Sequence, residues 1–287
     1  MLYLTYFKRN STIFLMNILN HVISAFPAIE TKQDMSIFFD HTYPESRIVG
    51  GSGAPATPYM VALLTGVTVR NLICGGSLLS IRHVLTAAHC ITFMMADGNV
   101  LLNSARASVG NNRWNIGGTA YNLIGFVQHP NYDHWRIKND IGVVITENNV
   151  VLTNSVRLVS LNFDWIGAGV QTSVTGWGRT RQSGSLSSTL QILHKQVVDG
   201  AQCVIDVARR VAELNLVGYP VVDPNIEICT FHSNGRGTCN GDSGSPLTRR
   251  DLNQQIGIVS WGISCARNAP DMFVRLSAYR SWLQPFM

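Results

Sequence analysis

The sequence predicts an all-β fold, either a sandwich or a barrel, built from many short strands. After about Ile48, short apolar or alternating runs such as "YMVALLTG", "DIGVVIT" and "QQIGIVSWG" recur, and they are rich in Val, Ile, Leu and Thr. Gly, Asn and Pro separate these runs, as turns separate short strands. Helix candidates are scarce: one is "AQCVIDVARRVAELNL" and the other is the C-terminal "SAYRSWLQPF".

The 287-residue chain has the composition of a folded protein. Hydrophobic types make up 46% of it and charged types 14%, which suits one or two packed cores and argues against disorder. The net charge of +5 is scattered along the chain, so a nucleic-acid-binding surface is not predicted. No run of 18 or more uncharged apolar residues occurs, so no transmembrane helix is predicted.

The cysteines indicate an oxidising compartment. There are six, an even number, and they form no CxxC pair that would suggest a zinc site. We expect three disulfides in a secreted, extracellular protein.

The N-terminus resembles a secretory signal peptide over residues 1–26. A basic pair, Lys8-Arg9, precedes an apolar run that ends in small residues near Ala25 and Ala28. The alternative hypothesis is that translation starts at Met16.

A glycine-rich turn, "GRGTCNGDSGSPL", places Ser243 next to Asp242. A serine hydroxyl is a weak nucleophile until a base takes its proton, so a catalytic Ser243 needs a histidine, and that histidine needs an orienting carboxylate. His89 lies in the strand-like run "VLTAAHC", and Asp140 opens the apolar strand "DIGVVIT". Each motif alone is weak, but the three together point to nucleophilic catalysis.

These motifs resemble those of the chymotrypsin-like serine endopeptidases. The similarity runs from Ile48 to the C-terminus and rests on "RIVGG", "TAAHC", "DIGVV", "GWG", "GDSGSPL" and "SWG". It implies a protease domain at 48–287 made of two six-stranded antiparallel β-barrels packed face to face, with a C-terminal helix. The first barrel would span about 59–165 and the second about 166–287.

The resemblance also implies the roles of the site residues. Ser243 would be the nucleophile, His89 the general base and Asp140 its orienting carboxylate. The amides of Gly241 and Ser243 would form the oxyanion hole. Substrate would contact Thr238 and pair with the strand at Ser260, Trp261 and Gly262.

Activation is a further implication of the resemblance. Residues 27–47 would be an activation peptide, and cleavage after Arg47 would free the ammonium group of Ile48. That group would then pair with Asp242 in the interior.

The resemblance implies a disulfide framework and no cofactor. The pairs would be Cys74–Cys90, Cys203–Cys229 and Cys239–Cys265. The stretch 97–132 has Asp97 as its only carboxylate, so we expect neither a calcium site nor another metal. One departure from the family pattern is Ser245, where a glycine is usual.

The specificity pocket combines two unusual residues. By resemblance Gly237 forms its floor, which favours large apolar P1 side chains, and Asp271 lies on its wall. This pair is similar to that of collagenolytic and chymotrypsin-like arthropod members. It predicts a broad preference, with Phe, Tyr and Leu accepted and Arg or Lys accepted through Asp271. The alternative is that Asp271 is turned away or screened by water, which would leave chymotrypsin-like selectivity.

Two other hypotheses remain open. The chain could be a non-catalytic homologue that acts as a binding or adaptor protein, although it keeps all three catalytic residue types. The long Cys203–Cys229 loop, with Arg209 and Arg210 on its helix candidate, could be an exosite. For the enzyme we expect a monomer whose partners are protein or peptide substrates and protein protease inhibitors.

Overall fold

The computed structural model describes residues 48–287 except Gly98 and Thr180, and these residues form mainly antiparallel strands. The expected signal peptide, the activation peptide and Arg47 lie outside the described residues. The strands in chain order are β1 Ser52–Gly53, β2 Met60–Thr65, β3 Asn71–Leu78, β4 His83–Thr86, β5 Met95–Ala96, β6 Val100–Leu101, β7 Arg106–Val109, β8 Thr119–Gln128, β9 Gly142–Thr146, β10 Gln171–Gly176, β11 Gln191–Val197, β12 Glu227–Phe231, β13 Pro246–Arg249, β14 Gln254–Gly262 and β15 Asp271–Arg275. The helices are α1 Ala88–Phe93, α2 Gly200–Glu213 and α3 Arg280–Leu283, with 3₁₀ turns at Leu276–Tyr279 and Gln284–Phe286.

The strands close into two six-stranded antiparallel barrels. The first has the order β2-β3-β4-β9-β8-β7. The second has the order β11-β10-β13-β14-β15-β12, and β12 pairs back to β11 to close it. Short β1 adds to β11 from outside. The fold class predicted from the sequence is confirmed.

Side-chain alternation explains how the strands sit in the barrels. Along β11 the odd-numbered positions are buried and the even-numbered ones are more exposed, as expected for a strand with one face in a core. In β2 the first five residues are all buried, because both faces of this strand are covered. Such strands read as continuous apolar runs in the sequence.

The two chain ends of the described domain cross over between the barrels. Ile48, at the start, is fully buried in the core of the second barrel. Leu283, near the end, is fully buried in a cluster that includes first-barrel residues such as Leu63 and Val143. The segment that precedes the first barrel in the sequence therefore packs in the second barrel, and the segment that follows the second barrel packs against the first.

Helix α2 lies in the long loop closed by Cys203–Cys229 and confirms the first helix candidate. The Asp199 side chain begins it by accepting hydrogen bonds from the amides of Ala201 and Gln202 at 3.0 and 3.1 Å, a standard N-cap. The 3₁₀ turns and α3 make up the second candidate. None of the helices in the described part of the chain is both long and apolar enough to cross a membrane.

Candidate active site

Strand pairing in the first barrel brings His89 and Asp140 together. Antiparallel β4 and β9 are neighbours, with Thr86 opposite Gly142. His89 lies three residues beyond the end of β4, and Asp140 lies two residues before the start of β9. Both residues therefore leave the sheet at the same edge, and no other element is needed to join them.

The His89–Asp140 contact is close and buried. The imidazole Nδ1 lies 2.8 Å from Asp140 Oδ2, and the His89 amide donates to Asp140 Oδ1 at 2.9 Å. His89 is 0% exposed and Asp140 is 2% exposed. The carboxylate thus holds both the backbone and the ring of the histidine.

The second barrel supplies a third donor to this carboxylate. The Ser260 hydroxyl of β14 donates to Asp140 Oδ2 at 2.6 Å. Burial by itself would raise the pKa of Asp140, but attraction to His89 and the hydrogen bonds from His89 and Ser260 outweigh it and lower the pKa. Asp140 is therefore ionised, although it has almost no contact with solvent.

Ser243 lies in a tight turn between the third disulfide and β13. Gly241 and Gly244 on either side have φ values of +92° and +76°, a backbone region that favours glycine. The Ser243 carbonyl accepts a hydrogen bond from Gly75 of β3 at 2.8 Å. A Cβ on Gly244 would lie 3.2 Å from the sulfur of Cys90, the residue after His89. The serine turn is therefore seated on the part of the first barrel that carries the histidine.

The backbone amides of Gly241 and Ser243 are candidate donors to a bound anion. Within the described residues neither amide donates a hydrogen bond. Free amide donors beside a candidate nucleophile can stabilise a developing oxyanion.

The candidate specificity residues meet at one end of the second barrel. Gly262 and Asp271 are opposite each other on β14 and β15, and the Thr238 amide donates to Asp271 Oδ2 at 2.7 Å. A Cβ on Gly237 would lie only 2.9 Å from the same oxygen. The Asp271 carboxylate thus lies directly against Gly237 and Gly262, where the resemblance places the pocket.

Trp261, beside these residues, is held from behind. Its indole Nε1 donates to Glu227 Oε1 at 2.6 Å, and Lys138 Nζ lies 2.8 Å from that same oxygen. The ammonium group also lies 5.1 Å from the indole ring centroid, a cation–π distance. These contacts fix the ring at the strand where substrate is expected to pair.

The start of the domain docks beside the pocket. Val49 and Gly237 exchange backbone hydrogen bonds at 3.1 and 3.2 Å. Asp242 is fully buried, and its carboxylate accepts from the amides of Gly178 at 2.7 Å and Cys239 at 3.0 Å. Desolvation raises the pKa of Asp242 to about 7. Among the residues that the structure describes, no cation forms an ion pair with it.

The disulfides are the same pairs that the resemblance implies: Cys74–Cys90, Cys203–Cys229 and Cys239–Cys265. Cys74, His89 and Cys90 bring three potential metal-ligand atoms close together. The two sulfurs are bonded to each other, so neither is a thiolate that could bind a metal.

The structure adds one residue that sequence reasoning missed. Lys195 of β11 is 3% exposed and donates a hydrogen bond to Asp271 Oδ2. The signal was available: Leu193 and Val197, two positions away on either side, show that this face of the strand points into the core.

Both arginines of the candidate exosite helix, α2, form hydrogen bonds within the protein. Arg209 pairs with Asp206 at 2.8 Å, and Arg210 donates to the Arg267 carbonyl at 2.6 Å. The exosite stays a prediction.

Comparisons with known proteins find related chains. A sequence model of the family described as Trypsin matches residues 48–283. The chain is 34% identical to Chymotrypsin-2 of Vespa crabro over 83% of this chain and 98% of that one. It is 33% identical to Chymotrypsin of Phaedon cochleariae, over 84% and 82% of the two chains. It is 32% identical to Trypsin alpha of Drosophila melanogaster, over 83% and 87%.

Proposed function

This chain belongs to the trypsin family and is a serine endopeptidase, and from that premise we propose that it is secreted as a zymogen and activated by cleavage after Arg47. The proposal extends to the roles of individual residues and to the preferred substrate. The observation that carries it is the buried His89–Asp140 contact, with the imidazole Nδ1 held at 2.8 Å.

In the proposed reaction Ser243 Oγ attacks the carbonyl carbon of the substrate peptide bond. His89 Nε2 accepts the hydroxyl proton and then gives it to the leaving amine, so that an acyl-enzyme remains. Water, deprotonated by His89, then attacks the ester carbonyl carbon. The bond to Ser243 Oγ breaks, His89 returns the proton to that oxygen, and the acid is released. Asp140 keeps the proton of the neutral imidazole on Nδ1 and stabilises the imidazolium that forms in each step.

The oxyanion of each tetrahedral intermediate would be bound by the amides of Gly241 and Ser243. Their lack of other acceptors in the described residues supports this role. Donors fixed before the reaction cost no reorganisation when charge develops.

Substrate would add as a strand along Ser260–Gly262, with its P1 side chain between Gly237 and Gly262. Protein inhibitors that present an extended segment would bind there in the same way. A pocket with glycine at its base has room for large apolar side chains, and this supports a preference for Phe, Tyr and Leu. The relatives include proteins called chymotrypsin and proteins called trypsin, so resemblance does not choose between apolar and basic P1 residues.

Activation would supply the missing partner of Asp242. The Val49–Gly237 pairing and the buried Ile48 side chain already place the start of the domain on the second barrel. A free Ile48 ammonium group would give the buried carboxylate a counter-charge and would hold the Ser243 turn in its active form.

The test is activity after a controlled cut. The purified chain is treated with trypsin until its N-terminal sequence begins at Ile48, and peptide and ester turnover is measured together with covalent labelling by a fluorophosphonate. We expect turnover and one label on Ser243, and a loss of kcat of at least about 10⁴-fold in Ser243→Ala. A correctly cut protein that neither turns over substrate nor takes up the label would instead be the non-catalytic homologue.

A further inference from the structure

Lys195 is a charged side chain on the core face of a strand. Its neighbours on that face of β11 are Leu193 and Val197, which are both buried. A buried ammonium group is costly unless it is paired and hydrogen-bonded. A lysine buried at this position is therefore expected to have a specific partner.

That partner is the pocket carboxylate. Lys195 Nζ donates to Asp271 Oδ2, the same oxygen that accepts from the Thr238 amide. The side chains of Lys195 and Asp271 are 1% and 4% exposed. The ammonium group also lies 5.6 Å from the ring centroid of Phe273, within cation–π range. Burial lowers the pKa of Lys195, and the attraction of Asp271 opposes that shift.

Asp271 lies at the interface between the lysine and the pocket. Its Oδ2 would be 2.9 Å from a Cβ on Gly237, and its Oδ1 would be 3.2 Å from a Cβ on Gly262. The carboxylate therefore faces the two glycines, while the lysine approaches it from inside the barrel. A P1 side chain would therefore contact the Asp271 carboxylate when that group is already paired with the Lys195 ammonium group.

We propose that Lys195 is a specificity-determining residue that neutralises Asp271 and makes the pocket reject Arg and Lys at P1 in favour of Phe, Tyr and Leu. This inference rests on the proposed function, because it assigns the substrate class of that same site. A basic P1 group would lose its hydration in the pocket and would find a floor with no net charge. Lys195 would also repel it directly.

This proposal differs from the expectation drawn from Asp271 alone. A carboxylate that is free to bind a substrate cation would give broad specificity. The Lys195 contact makes the carboxylate part of an internal pair. Opposite charges that are both desolvated interact strongly, and a substrate cation has to compete with a partner that is already in place.

The test compares three activated enzymes: the parent, Lys195→Met, and Lys195→Met/Asp271→Asn. Peptides that differ only at P1 report kcat/KM for Phe, Leu, Arg and Lys. We expect the parent to prefer Phe over Arg by at least about 100-fold, and Lys195→Met to raise the Arg-to-Phe ratio by at least about 30-fold, as a fully desolvated pair allows. The double variant, whose floor is again uncharged, should return close to the parent ratio.

A second arm does not depend on catalysis. Benzamidine, a small planar cation, is titrated by calorimetry into the same three proteins in a Ser243→Ala background. Lys195→Met should bind it at least about 30-fold more tightly than the other two. If Lys195→Met does not fold, Lys195→Gln retains a hydrogen-bond donor without the charge and takes its place in both arms.

The outcomes separate this inference from the proposed function. A parent enzyme that cleaves Arg as fast as Phe, or a Lys195→Met ratio within about threefold of the parent, would overturn the role of Lys195. If the parent hydrolyses no peptide at all, the proposed function fails, and the benzamidine arm still decides whether Lys195 neutralises the pocket.

Discussion

The hydroxyl of Ser245 illustrates how one residue can depart from a family pattern inside a packed core. Ser245 is 0% exposed, and its Oγ has no hydrogen-bond partner among the residues that the structure describes. It lies against Gly75, where a Cβ would overlap the oxygen. A buried polar group without a partner carries its full desolvation cost. The residues that the structure describes offer no compensating contact for this hydroxyl.

We therefore predict that Ser245→Ala stabilises the protein by about 1 kcal/mol. Urea unfolding in a Ser243→Ala background, which prevents self-digestion, measures the change. The matched control is Ser77→Ala, because the Ser77 hydroxyl is equally buried and donates to Gln255 Oε1 at 2.7 Å. The control should be destabilised. Equal losses in both variants would mean that Ser245 has a partner in solution.

The C-terminal segment links the two barrels. It follows β15 of the second barrel but packs on the first. Phe286 meets the His83 ring edge-on at 5.6 Å, and the Tyr279 hydroxyl donates to Asn139 Oδ1 at 3.0 Å. Asn139 immediately precedes Asp140. The segment thus supports the edge of the first barrel that carries the candidate site.

Shortening the anchor of this segment should be costly. Leu283→Ala removes a fully buried side chain, and we expect it to lower the free energy of unfolding by about 2–5 kcal/mol. Gln284→Ala, at the exposed neighbour, should stay within about 0.5 kcal/mol of the parent. Urea midpoints in the Ser243→Ala background give both values. A Leu283→Ala midpoint equal to that of Gln284→Ala would show that the segment does not contribute to the core.

The candidate site forms where the two barrels meet. Asp140 belongs to the first barrel and its donor Ser260 to the second, and the serine turn of the second barrel is anchored on Gly75 of the first. The docked start of the domain pairs through Val49 with Gly237, and buried Asp242 lies five residues further along the same segment. Its raised pKa makes the stability of the uncleaved chain depend on pH.

The direction of that dependence follows from the pKa values. Asp242 titrates at about 7 when folded and has an ordinary value of 3.8, so the folded state holds the proton more tightly. Its contribution to stability is complete below about pH 4 and is lost as the pH rises through 7, by up to about 4 kcal/mol. We expect uncleaved Arg47→Gln/Ser243→Ala to lose this stability between about pH 4 and pH 7 and to change little above that range.

Two comparisons isolate the carboxyl group in urea unfolding. Adding Asp242→Asn should flatten the pH dependence, whatever constant cost the amide brings. Cleaving Ser243→Ala after Arg47 should flatten it too, because the Ile48 ammonium would then pair with the carboxylate. Parallel curves for the uncleaved proteins with and without the Asp242→Asn substitution would show that Asp242 does not titrate in this range.

The strand-rich fold and α2 could be predicted from the sequence because each depends on short-range patterns, and three local motifs predicted the candidate triad. Alternation marks strands, a three-to-four apolar spacing marks α2, and the motif order His89, Asp140, Ser243 carries the resemblance to a family. What it left open depends on contacts between distant residues. The three-to-four spacing of apolar residues in the helix candidate predicts that Ile205 lies on the buried face of α2. Ile205 is instead 59% exposed, because the Cys203–Cys229 disulfide turns a different face of the helix towards the core. Lys195 and Asp271 are 76 residues apart in the chain, and only closure of the second barrel brings them together. Gly237 and Asp271 indicated a pocket that accepts both apolar and basic side chains. The tertiary structure places the Lys195 ammonium group behind Asp271, and the charge of a desolvated site is the sum of all the groups packed against it.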